Sequence, residues 1–383
     1  MNYLILDVET TTSNKGNPFD TTNKLCYIGL RGPNNYLYDI EYSNQFCNTS
    51  EIQDKINSST LLIGFNIKFD LHWIKNYGLS FNTCRIWDCQ LVHFILTGQR
   101  HSYPSLNDVA TYYNLGTKLD TVSEEYWNLG IDTTEIPREI LEEYLIGDLE
   151  LTELVYCKQV EELESRPELK RLISLHNQDL LVLQEMEYNG LLYNNKRSEE
   201  LADELDIQIN ALDELLNQYY NCPGFNLNSN DHLSCFLYGG NIKLRRREVI
   251  GVFKTGDRAG EPKEKWIDYE VTMPRLVTPL KGSELSKPGY WSTDENTLRT
   301  LKGSRKAKEI IELLLKRAEL EKRVSTYYRG LLKLSDSMHW KEGYVYGQLN
   351  QCVARTGRLS SSRPNLQNFD GEIKELFYSR YKG

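Results

Sequence analysis

The segment Tyr3-Leu4-Ile5-Leu6-Asp7-Val8-Glu9-Thr10 begins as an apolar run of strand length and places two carboxylates, one residue apart, at its carboxyl end. Side chains two positions apart on a strand share a face, so Asp7 and Glu9 point the same way from the end of a buried strand. Two like charges so placed disfavour each other's ionisation unless a cation lies between them. For an all-oxygen pair the matching cations are Mg²⁺ and Mn²⁺. Asp-x-Glu is common by chance, so the metal reading depends on finding further ligands downstream.

A chain of 383 residues exceeds the size at which a single core usually keeps growing, and two or three domains are expected. No apolar run approaches membrane-spanning length, and the chain opens on a strand with no basic leader, which predicts an intracellular protein. Eight cysteines (Cys26, Cys47, Cys84, Cys89, Cys157, Cys222, Cys235, Cys352) are scattered without a C-x-x-C pair or paired histidines, so reduced thiols are expected and a zinc site is not. The net charge of −9 is unevenly spread: from Asn296 onward there are 18 Lys and Arg against 9 Asp and Glu, and before it 27 against 45. An acidic front that concentrates cations, joined to a basic tail, suits a catalytic head with a polyanion-gripping tail.

Along the chain, Lys24–Leu30 and Tyr36–Tyr42 read as strands around the Arg31–Asn35 turn, Glu51–Ile56 as a helix, and Leu61–Asn66 as a short apolar strand. Helices are predicted over Lys68–Lys75, over Cys84–Thr97 carrying Asp88, over Leu106–Tyr113, and from Pro137 to about Glu164. This alternation implies an α/β sheet with helices packed on it. After Arg166-Pro167, two amphipathic stretches, Glu168–Tyr188 and Lys196–Tyr220, flank the helix-ending Asn189-Gly190. Arg245–Pro288 is polar and reads as a hairpin-like insertion, Ser304–Leu334 as one basic helix, and Tyr344–Cys352 as strand-like.

Two later sites supply what the opening pair lacks. Asn66-x-x-x-Asp70 sets a carboxylate at the start of a helix directly after a strand, and Tyr144-x-x-x-Asp148 sets phenol and carboxylate on one helical face. Four carboxylates and a tyrosine are what two-metal phosphodiester hydrolysis uses, with two divalent ions about 4 Å apart clamping the scissile phosphate. In this arrangement Asp7 would be shared between two Mg²⁺ (or Mn²⁺), Glu9 and Asp148 would complete the water-activating side, Asp70 would serve the side of the leaving 3′ oxygen, and the Tyr144 hydroxyl would orient the water. The ordered set resembles the DEDD 3′–5′ exonucleases with a tyrosine in the third motif. That resemblance implies an RNase H-like fold, with Thr10, Asn66 and Phe69 contacting the strand end.

The second half narrows the resemblance. Arg355-Thr356-Gly357-Arg358-Leu359-Ser360-Ser361-Ser362-Arg363-Pro364-Asn365-Leu366-Gln367-Asn368 resembles the T-G-R-L-S-S-x-x-P-N-L-Q-N segment of family A DNA polymerases. Met186–Gly190, Phe225–Ser229, Ser292–Glu295 and Lys322–Tyr327 match other family segments in order. The resemblance implies an α/β exonuclease domain (1–165), a mainly helical thumb (166–340, with a polar insertion at about 241–290) and the start of a palm (341–383) ending before the catalytic aspartate motif. It also implies that Arg358, Asn365 and Gln367 reach the minor groove of a primer-template, whose acceptors are shared among base pairs. The expected partners are DNA, as a single-stranded 3′ end and as primer-template, and a second polypeptide carrying the rest of the palm and the fingers, in the cytoplasm of a bacterial or phage-infected cell. Two other readings share some of these features. A stand-alone DEDD ribonuclease is disfavoured by the thumb-like segments, and a non-catalytic DNA-binding or assembly subunit by the complete carboxylate set.

Overall fold

Strand β1 (Tyr3–Thr10) is flanked on both sides by strands apolar enough to bury it. In the computed structural model, which describes residues 2–43, 49–117, 121–256 and 258–380, it is the centre of a five-stranded sheet. β2 (Leu25–Arg31) and β3 (Asn35–Asp39) extend it on one side as an antiparallel meander, while β4 (Leu61–Gly64) and β5 (Arg85–Asp88) run parallel to β1 on the other. Helices α1 (Thr49–Ser58), α2 (Lys68–Asn76), α3 (Cys89–Leu96), α4 (Leu106–Tyr112), α5 (Thr121–Glu125), α6 (Arg138–Ser165) and α7 (Lys170–Asn189) complete this part, and β6 (Leu191–Tyr193) follows.

Because β1 alternates, its two faces feed two cores. Leu4, Leu6 and Val8 pack with Ile52 and Ile56 of α1, Leu71 and Ile74 of α2, and Ile173 and Leu180 of α7. Ile5, Tyr27 and Ile63 pack with Val109 of α4 and with Leu141, Leu145 and Leu149 of α6. Each such side chain contributes about 1.5–3 kcal/mol by leaving water. The second face is also the one from which Asp7 and Glu9 project, so α6 is drawn across them by its own leucines. Its close approach depends on Gly29, opposite Asp7 on β2, where a Cβ would lie 2.9 Å from Leu149 and 3.0 Å from Leu145.

Contacts divide the chain into two compact units, residues 1–195 with 331–383, and residues 196–330. The second contains α8 (Asn195–Tyr220), α9 (Asn230–Tyr238), the long hairpin of β7 (Gly240–Val252) and β8 (Pro262–Met273), α10 (Glu295–Thr300) and α11 (Arg305–Lys322). Its core joins Leu216, Phe236, Leu237, Leu298, Ile310 and Leu314. Buried Arg317 ties α11 to α8 through Asp213, with Nε to Oδ1 at 2.5 Å, and to Asn228 at 2.7 Å. A π-helical turn (Arg323–Tyr328) and α12 (Arg329–Ser337) follow, and the chain returns to the first unit. There β9 (Tyr344–Val345) and β12 (Phe377–Tyr378) flank β6, β10 (Gln348–Asn350) pairs with β11 (Ser360–Ser362), and α13 (Gly371–Lys374) precedes β12.

Several local expectations are corrected. Cys84–Thr97 is not one helix: Arg85–Asp88 is the edge strand β5, and Asp88 caps α3 by accepting from the N–H groups of Gln90 and Leu91. The third strand stops at Asp39, and the fourth at Gly64, because Asn66 adopts a left-handed φ of 59°. The basic helix from Ser304 is interrupted by the π turn, and Tyr344–Cys352 splits into β9 and β10. The seven described cysteines are free thiols, as expected, and Cys47 lies outside the described residues. No helix among the described residues is long and apolar enough to cross a membrane.

Candidate active site

At the carboxyl end of β1, a cavity of about 540 Å³ is lined by Asp7, Glu9, Thr10, Asn66, Phe69, Asp70, Tyr144 and Asp148. Three chain segments supply its carboxylates, each for a local reason. β1 supplies Asp7, Glu9 and Thr10 by alternation at its end. The left-handed turn at Asn66 converts β4 into α2 within three residues and puts Asp70 in the first turn of the helix, where a carboxylate suits the helix dipole. α6 supplies Tyr144 and Asp148 one turn apart.

The geometry of these acids is that of an ion cradle. One oxygen from each of Asp7, Glu9 and Asp148 lies within 4.8 Å of the other two. Asp70 is buried and accepts the N–H of Val8 at 3.0 Å, locking α2 to β1 beside Asp7. Burial first, and then the charge of Asp7, push the Asp70 carboxyl well above the usual carboxylate range. Such crowding of buried anions is costly in an apolar setting and is relieved by a cation. The all-oxygen donor set fits hard divalent ions such as Mg²⁺ or Mn²⁺, and leaves no place for thiolate or imidazole ligands.

Residues without a motif also shape the cavity. Trp127 stands edge-on to Tyr144 at 5.5 Å, and its Nε1 donates to Thr133, whose hydroxyl donates in turn to the Thr10 carbonyl at 2.6 Å. This chain fixes the phenol relative to the end of β1. Lys15, Gly16 and Asn128 complete the wall. Gly16 has φ of 68°, and a Cβ there would lie 2.2 Å from the Thr10 hydroxyl, so only glycine fits. No periodicity marks these positions; a lone Lys-Gly after a strand is the single local sign. Asp88 supports the Asn66 turn by accepting its N–H at 3.1 Å, and burial pushes this carboxyl up to about 6.

Arg358, Asn365 and Gln367 lie outside this cavity, exposed, on the segment around β11. The Asn365 side chain accepts the N–H of Gln367, and the Gln367 amide donates to the Leu359 carbonyl at 3.0 Å, so both brace the segment.

Residues 1–164 match the family described as 3'-5' exonuclease, and residues 272–381 match the family described as DNA polymerase family A. DNA polymerase I of Synechocystis sp. is 30% identical over 327 residues, 82% of this chain. The chain is similar to DNA polymerase family A proteins over these two segments. Among family A relatives, the match to DNA polymerase I of Bacillus subtilis is 26% identical over 72% of this chain, and that to the DNA polymerase of Bacillus phage SP01 is 24% identical over 83%. The chain spans only part of these proteins, with matches covering 28%, 26% and 36% of their lengths. A solved structure described as the POL domain of Pol1 from M. smegmatis in complex with DNA primer-template and dNTP has the same fold over 97% of this chain and 53% of its own, with a TM-score of 0.63 at 17% identity.

Proposed function

We propose that this chain removes nucleotides from the 3′ end of DNA as the proofreading 3′–5′ exonuclease portion of a family A polymerase, and that its second half binds the primer-template. The observation that carries the reading is the meeting of Asp7, Glu9 and Asp148, from segments some 140 residues apart, with ligand oxygens within 4.8 Å of one another and with Asp70 beside them. The mixed sheet, with acids at the end of its central strand and on a helix crossing it, also supports an RNase H-like architecture for residues 1–165.

Asp7, Glu9, Asp70 and Asp148 would hold two Mg²⁺ (or Mn²⁺). Bound there, the ions would supply Lewis acidity at the scissile phosphate and neutralise charge on the attacking and leaving oxygens. The chain's own groups do the rest. Tyr144, fixed by Trp127, directs its hydroxyl toward the attacking water. Thr10 and Asn66 offer polar contacts to the terminal nucleotide, and the Phe69 ring a stacking surface for its base.

Arg358, Asn365 and Gln367 are assigned to the minor groove of the primer-template. Nucleotide transfer is assigned to the parts of the family A relatives that lie outside the matched residues. The test is digestion of 5′-labelled single-stranded DNA and RNA of one sequence, with Mg²⁺, by the native chain and by Asp7→Ala. The reading expects stepwise 3′ shortening of DNA that Asp7→Ala loses. Shortening of RNA alone would favour the ribonuclease reading, and no shortening of either would favour a non-catalytic subunit.

A further inference from the structure

A partly buried ion pair beside the carboxylate cavity takes no part in the chemistry above. Glu187, near the end of α7, is 5% exposed. Its Oε1 accepts from Nζ of Lys68 at 2.6 Å and from the N–H of Leu349 at 2.5 Å, and its Oε2 meets Nε2 of His72 at 2.8 Å. Lys68 Nζ donates a second bond to the Leu349 carbonyl at 2.6 Å. Both backbone groups of one residue therefore end on the two members of one ion pair.

Leu349 is the centre of β10, whose other edge pairs with β11 in the register Leu349↔Ser361. A strand edge that is covered must have its N–H and C=O satisfied, and here Lys68 and Glu187 do what a third strand would. For stability alone this is a poor choice, because desolvating two charges offsets most of their attraction and an apolar pair serves as well. What the pair adds is fixed geometry. Lys68 and His72 lie two residues before and two residues after Asp70 on α2, and Glu187 holds both. On the far side, Ser361 of β11 accepts the N–H of Leu366 and donates to the Pro364 carbonyl, both at 3.2 Å, within the T-G-R-L-S-S segment.

We propose that Glu187 is a positioning residue for the nuclease site: together with Lys68 it fixes the first turn of α2, and with it Asp70, against the β10–β11 ribbon. The polymerase-type segment thereby forms part of the frame that holds the metal ligands. This rests on the nuclease reading, and the experiment separates the two.

The full-length chain is compared with Glu187→Gln, Lys68→Met and Lys68→Arg. Mn²⁺ binding is measured by calorimetry without DNA, and 3′ trimming is measured across Mg²⁺ concentrations. Glu187→Gln and Lys68→Met are expected to weaken Mn²⁺ binding about tenfold, the range found when groups supporting metal ligands are removed. Their trimming rates are expected to recover at high Mg²⁺, and Lys68→Arg, which keeps charge and donors, to restore wild-type binding. Should Glu187→Gln fail to fold, the contrast between Lys68→Met and Lys68→Arg carries the same test. Wild-type Mn²⁺ affinity in Glu187→Gln and Lys68→Met, with the native chain trimming DNA, overturns the positioning role and leaves the nuclease reading standing. A native chain that neither binds Mn²⁺ nor trims DNA overturns both.

Discussion

Asp7 is the residue on which the other acids converge, and Asp7→Ala is expected to lower the trimming rate about 10³-fold, the scale on which loss of a principal charge-stabilising group is felt. Tyr144→Phe keeps the ring against Trp127 and removes only the hydroxyl. Its expected cost is about 10²-fold in kcat with KM unchanged, measured by single-turnover digestion. Asp20 offers a prediction in pH. Burial alone would raise its carboxyl, but hydrogen bonds from Thr22, Asn14 and His339 outweigh this and hold it well below the usual range. A depressed carboxyl contributes stability that is complete above its unfolded value near 4 and is lost as pH falls through the folded one. Asp20→Asn should therefore be less stable at pH 7 by about 2 kcal/mol, and the gap should begin to narrow only as pH falls below about 4, toward the depressed folded value. Asp7 with Glu9 and Tyr144 with Asp148 were legible because strand and helix periods place them by local spacing. Asp20 with His339, or Glu187 with Leu349, were not, since nothing local relates side chains that only tertiary packing brings together.

At the scale of elements, the site depends on how closely α6 lies on β2. Gly29→Val would press its side chain into Leu145 and Leu149. The expected result is a loss of about 1–3 kcal/mol by overpacking, measured by urea denaturation, together with weaker Mn²⁺ binding as Asp148 is carried away from Asp7. Arg317→Met tests the second unit by itself. It leaves Asp213, which is about a third exposed, without its partner and is expected to cost about 1–2 kcal/mol, read as faster amide exchange within residues 196–330. Long helices such as α6 and α8 were legible from periodicity and caps. β5 was not, because four residues ending in aspartate read equally as a strand and as the first turn of the helix that Asp88 caps. The break in the basic helix at Arg323 was hidden too, since Val, Ser, Thr and Tyr continue a helical pattern without a proline or glycine to mark the π turn.

For the molecule as a whole, the acidic front and basic tail predict that DNA affinity and hydrolysis respond differently to salt. Exposed Lys302, Arg305 and Lys308 lie at the start of α11 or just before it. Changing all three to Ala is expected to lower the slope of log K against log salt by about 2–3 and to weaken binding evenly across sequences, while trimming at saturating DNA holds. The ordered motifs made the family resemblance legible from the sequence alone, because each is a short run recognisable by its own local order of residues. The division of contacts into residues 1–195 with 331–383 and residues 196–330 was not legible, because it depends on the chain returning to its first unit after α11.

The claim beneath all of this is that acids from β1, α2 and α6 jointly hold divalent ions, and anomalous diffraction from crystals grown with Mn²⁺ tests it most directly. Peaks touching Asp7, Glu9, Asp70 and Asp148 are expected, and their loss in Asp7→Ala. Crystals saturated with Mn²⁺ that show no peak among these four carboxylates would contradict that claim.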